Sequence, residues 1–225
     1  MFTQDPFNIG RDVNSFRAEV QKHLTSTDEI NKSVSIFRQV SLCNTILNHT
    51  ANLNHSSYIR GFIYDTLNSL IAIIKKRERY LQLNFRSMVE HVARISLNKN
   101  YNGGDFDQTP AAAVRRKDFD FLKAHQVDEG WAYLHNVYIN ACHYVHSSPK
   151  ANLNVTSKFV SLMEGDCNST QHKMVKKLHE VVSALMKVII KYYYQNISNI
   201  FFRNKKDLEK IMGKSLYSYY ISLDN

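Results

Sequence analysis

Apolar side chains recur along this chain at steps of three and four with polar residues between them, the spacing of helices that bury one face. Val13, Phe16, Val20 and Leu24 predict a helix over 11–24, ended by Thr25-Ser26. Thr27-Asp28-Glu29 then supplies a start, because acids stabilise the positive end of the helix dipole. Ile30, Val34, Phe37, Val40 and Leu47 carry this second helix up to the polar stretch 48–57. Ile59, Phe62, Ile63, Thr66, Leu70 and Ile74 make a third. The period then runs on past the basic segment 75–79 through Leu81, Phe85, Met88, Val89, Val92 and Ile95 without a Gly or Pro. The pattern leaves one long helix or two.

Residues 98–110, with Gly103-Gly104 and Pro110, read as the clearest loop. A helix restarts at the alanine run 111–113 and continues to His125. Another covers 128–146 through Trp131, Leu134, Val137, Tyr138, Ala141 and Val145, and stops at Ser147-Ser148-Pro149, since the residue before a proline is pushed out of helical geometry. Phe159, Val160 and Leu162 predict a short helix. Val175, Leu178, Val182, Leu185 and Ile189 alternate steps of three and four, a seam with more apolar length than a surface helix needs, and it is read as a dimer seam. A last helix is expected over 207–223, with Gly213 inside it. No repeat and no linker-like shift in composition divides the chain, so the expectation is a single all-α domain over 1–225, a bundle of about seven to nine helices.

Composition supports that reading. Among 225 residues there are 7 Gly and 3 Pro, too few for the turns of a sandwich or barrel. No window approaches the roughly 18 apolar residues of a membrane span. The first twelve residues hold acids and a proline where a signal peptide needs a basic and then an apolar run, so a cytoplasmic protein is expected. The three cysteines are odd in number and form no C-x-x-C pair, which argues for packing residues over a disulfide framework or zinc ribbon.

Charge adds a partner. Lys and Arg number 29 against 20 acids, a net +9, which favours an anionic partner such as nucleic acid. The excess is clustered, and Lys75, Lys76, Arg115, Arg116 and Lys117 are the candidate nucleic-acid contacts. Phosphate-binding loops, dinucleotide fingerprints, zinc-protease helices and nucleophile elbows are missing from the sequence, so no cofactor is implied.

Two segments could carry chemistry. In 85–91, Arg86 and Glu90 stand four apart and share a helix face. In 135–146, His135, Tyr138, Cys142 and His146 fall on one stripe bordering the apolar face. A metal site from His135, Cys142, His143 and His146 has suitable ligand types, but no recognised spacing and no nearby carboxylate, so no metal is expected.

At these two segments the chain resembles the HEPN-like helical superfamily, bacterial helix-bundle domains of toxins, abortive-infection proteins and nucleotide-transferase partners. The resemblance rests on a helix written Phe-Arg-x-x-x-Glu and, about fifty residues on, a helix ending Tyr-x-x-x-Cys-x-x-Val-His, here Tyr138 to His146. It covers a core over 59–148. It implies RNA cleavage by an arginine and a histidine four to six residues apart, in a cleft shared by two subunits. Arg86 and His91 match that string. The implied mechanism needs no metal: the histidine handles a proton of the attacking hydroxyl or leaving oxygen, and the arginine steadies phosphate charge. Within the resemblance, Arg86, Glu90, Tyr138 and His146 are expected to meet between two packed helices as a polar centre, with His91 expendable. Two functions stay open: a bacterial anti-phage or toxin-type protein that binds RNA as a homodimer, with or without cleaving it, or a non-catalytic subunit that docks an operon-encoded protein or nucleic acid.

Overall fold

A computed structural model describes residues 9–97, 112–151, 153 and 163–224. Among them the regular structure is helical throughout, with no strand. The helices are α1 (Gly10–Val20), α2 (Thr27–His49), α3 (Ser56–Ile74), α4 (Glu78–Ser96), α5 (Ala112–His125), α6 (Trp131–Val145), α7 (Gln171–Tyr192), α8 (Tyr194–Ile200), α9 (Lys205–Met212) and α10 (Lys214–Ser222). Short 3₁₀ turns at Val127–Glu129 and Pro149–Ala151 flank α6. The short helix expected around Phe159 to Leu162 lies outside the described residues, as does the loop 98–110.

Ten described helices exceed the seven to nine expected, and the C-terminal third accounts for the excess. The stretch expected as one helix over 207–223 is two, because Gly213 takes φ +75°, ψ 162°, a conformation that a side chain disfavours and that no helix continues. The α8 helix, following α7 directly at Tyr193, was not expected at all.

The α7 helix is the axis of the fold. It packs on α2, α4, α3 and α6, and Thr170 caps it by accepting a hydrogen bond from the Lys173 N–H at 3.3 Å. Val175, Leu178, Val182, Leu185 and Ile189 are completely buried within the one chain. Each contributes about 1.5–3 kcal/mol by leaving water. The seam read as a dimer interface is therefore the monomer's own core.

The long apolar run over 59–95 is two helices, and the break is tertiary. Lys76 adopts φ +52°, and the Arg77 N–H reaches back to the Ala72 carbonyl at 2.7 Å, closing the α3 end. The segment 165–169 then holds the turn. Asp166 accepts from the Glu78 N–H at 2.6 Å and donates its own N–H to the Lys76 carbonyl at 3.0 Å. Buried Glu78 in turn receives the N–H groups of Asn168 and Ser169 and the Ser169 hydroxyl. Gly165 is required here, since a Cβ would stand 2.8 Å from the Lys76 Cβ and its φ is +154°. Folded back in this way, α3 lies along one side of α4, while α6 packs on another side.

Candidate functional site

The α4 helix turns its apolar stripe, Leu81, Phe85, Met88, Val89 and Val92, into the core, which places polar residues on its two flanks. On the flank toward α6, Arg86 Nη2 lies 3.6 Å from Glu90 Oε1, and the same oxygen accepts a hydrogen bond from the Tyr138 hydroxyl at 3.0 Å. The arginine and glutamate side chains are 19% and 27% exposed, so the network sits at the half-buried seam of α4 and α6. Burial acts to weaken the hold of Arg86 on its proton, but the Glu90 carboxylate and the Tyr138 hydroxyl outweigh it and raise its pKa above the ordinary value. Arg86 is thus a permanent cation whose charge is balanced beside it. Its buried Nε has no hydrogen-bond partner.

Three of the four residues expected in a polar centre meet; His146 does not join them. It is the exposed C-cap of α6, eight residues beyond Tyr138 and therefore about 12 Å further along the axis.

On the opposite flank, His91 is 7% exposed against α3. Its Nε2 lies 3.3 Å from the Ser87 hydroxyl and 3.4 Å from Asp65 Oδ2. The ring fills the space above Gly61, where a Cβ would stand 2.3 Å from Nε2. His91, expected to be expendable, is a packed component of the α3–α4 contact. Five residues at 100° each rotate it about 140° from Arg86, so the two members of the string face different helices. Ser87, His91 and Asp65 have the residue types of a nucleophile relay. Serine and carboxylate both approach Nε2, however, whereas a relay needs them on opposite ring nitrogens.

Of the candidate nucleic-acid contacts, Lys75 and Lys76 are exposed at the α3–α4 turn, and Arg116 and Lys117 are exposed on α5. The Arg115 side chain lies outside the described residues. Among the described residues no group of three or more His, Cys, Asp or Glu is arranged to hold a metal ion. His135 is instead stacked on Phe119 at 4.5 Å, and its pKa is lowered, first by burial and then by Lys123. No helix among the described residues is long and apolar enough to cross a membrane.

A second polar cluster was not anticipated. Ser35 and Gln39 on α2 face His179 and Ser183 on α7: Gln39 Nε2 donates to Ser183 Oγ at 3.3 Å, and His179 Nε2 lies 3.1 Å from Ser35 Oγ. They line a cavity of about 580 Å³ that is also bounded by Tyr133 and Gly213. Burial, then Lys32, holds the His179 pKa below its ordinary value. Two polar pairs with the same i, i+4 spacing, Ser35 with Gln39 and His179 with Ser183, each bordering the apolar face of its helix, are the sequence signal for this cluster.

The fold and the site define the chain as an all-helical bundle with a polar seam on each flank of α4. No protein-family model, curated protein or solved structure matches it.

Proposed function

We propose that this is a HEPN-like RNA-binding protein of the bacterial defence or toxin type, which acts as a homodimer and engages RNA through its basic surface. The observation that carries the reading is the placement of cations: on a chain of net charge +9, Lys75, Lys76, Arg116 and Lys117 stand exposed at the α3–α4 turn and on α5. Exposed cations are what phosphate contacts require, whereas the Arg86 charge is spent on Glu90. The separation of Arg86 from the enclosed His91 ring favours binding over cleavage, and so favours the non-catalytic branch of the resemblance.

The test is fluorescence anisotropy with a single-stranded RNA over a range of salt, with RNA integrity followed in the presence of a chelator. Affinity should fall steeply as salt rises, because each neutralised phosphate releases counterions. Arg116→Glu with Lys117→Glu should weaken binding and flatten that slope while the helical circular dichroism is kept. Absence of binding at low salt transfers the reading to a protein partner. Chelator-resistant cleavage that a folded His91→Ala variant loses would reinstate the nuclease.

A further inference from the structure

The α5 helix carries aromatic rings on two opposite faces. The inner face is used for packing: Phe119 and Leu122 are buried, and the Phe119 ring stacks on His135 and packs against Tyr138 of α6. Phe121 stands almost opposite, since two residues advance a helix by about 200°, and it is 49% exposed. One turn further on, the exposed His125 ring stacks against it, at 4.3 Å between centroids and 20° between planes. His125 Nδ1 donates to the Phe121 carbonyl at 3.0 Å, which holds the imidazole in that position and leaves Nε2 of the neutral ring as an acceptor.

Cations continue the same stripe. Lys117, Phe121 and His125 follow one another at steps of four, each about 6 Å along the axis and all within about 80° of arc, with Arg116 next to Lys117. Because the imidazole covers one face of the Phe121 ring, the other face is turned toward Lys117. The helix holds four Lys or Arg against two aspartates. Of those two, Asp120 is held by Lys123 at 2.6 Å, and Asp118 is half-buried. A flat apolar ring beside exposed cations is complementary to a nucleotide, whose base covers the ring while its phosphate reaches the cation. An apolar peptide would cover the ring and leave the cations without a counter-charge.

We propose that Phe121 and His125 form a stacking platform for an unpaired base of RNA, with Lys117 and Arg116 taking the adjoining phosphates. The platform lies on α5, apart from Arg86 and His91 on α4, and it binds without reacting. Stacking reads only the face of a base, so the site is indifferent to sequence but closed to a paired base, which is already covered by its neighbours in the duplex. The platform presupposes the RNA-binding reading and adds to it which residue meets the bases and in what state they must be.

The test is fluorescence anisotropy at fixed salt with a short RNA strand free of self-complementarity and with the same strand annealed to its complement. Phe121→Ala should weaken binding of the single strand about tenfold, the loss of one stacked base, and leave binding of the duplex unchanged. The dependence on salt should also stay as it is, since no phosphate contact is removed. Phe121→Trp should keep the affinity of the unaltered chain, and its exposed indole should be quenched by the single strand, whereas the native Trp131 is buried and should not respond. Both variants change an exposed side chain and should retain the helical circular dichroism. If the unaltered chain binds RNA but Phe121→Ala binds the single strand equally well, or loses single strand and duplex alike, the platform is overturned and the RNA reading stands. An unaltered chain that binds no RNA at low salt overturns both.

Discussion

The two flanks of α4 carry the same kinds of residue and do different things with them. Toward α6, Glu90 sits between the Arg86 cation and the Tyr138 phenol, partly open to water, and joins two helices through charge and one hydrogen bond. Toward α3, His91 is enclosed, and its ring occupies volume that Gly61 leaves free. One flank is an electrostatic tie, the other a steric fit with polar edges. The difference teaches that an arginine and a histidine five positions apart on one helix need not form a site, since the helix itself rotates them onto separate neighbours.

The steric flank should be the more fragile. Gly61→Ala sets a Cβ against the His91 ring, and urea unfolding is expected to show a loss of about 1–3 kcal/mol, the usual range for overpacking. His91→Ala in the same chain should recover most of that loss, a strong departure from additivity. Simple addition of the two effects would show that the ring is not the obstacle.

On the α6 flank a smaller cost is expected. Tyr138→Phe removes a hydrogen bond to a half-exposed carboxylate, and about 1 kcal/mol should be lost. In a Glu90→Gln background the same change should cost less, and a double-mutant cycle by thermal or urea unfolding reads the difference. An unchanged cost would place the stabilising role of Tyr138 in its ring, which packs on Phe119 at 5.0 Å, and not in its hydroxyl.

The smallest effect belongs to His146. Exposed beyond the last turn of α6 and away from the tie, His146→Ala should stay within about 0.5 kcal/mol of the unaltered protein. A loss comparable to that of Tyr138→Phe would place it in the network after all.

What could be read without coordinates was what is local. The periodicity located α2, α3, α6 and α7 and every buried position of α6, but only about half of those in the other three, and the i, i+4 relation of Arg86 to Glu90 is a property of any helix. The meeting of Tyr138 with Glu90 was legible because both border apolar stripes that had to face the same core. His146 was misplaced because α6 ends at Val145, and what α4 brings there is Arg79, which donates to the Val145 carbonyl and the Ser147 hydroxyl about two turns of α4 away from Arg86.

The dimer seam was misread for a related reason. Periodicity reports that a face is apolar, not whether the same chain or another covers it. Val181, Met186, Val188 and Ile190, buried on either side of that seam, carried the correction, since they widen the apolar arc of α7 to about half its circumference, as in a helix packed on several neighbours of its own chain.

By itself, then, the sequence determined the helical class, the faces each helix buries and the excess of positive charge, because these depend on spacing and composition alone. Tertiary structure decided where the long apolar run folds back, which side of α4 meets α3 and which meets α6, and which apolar residues stay uncovered. Those depend on groups far apart in the chain: Asp166 closing the turn at Glu78, Gly61 making room for His91, and Tyr138 reaching Glu90. No local pattern encodes such contacts, since their energy exists only once the chain has brought them together.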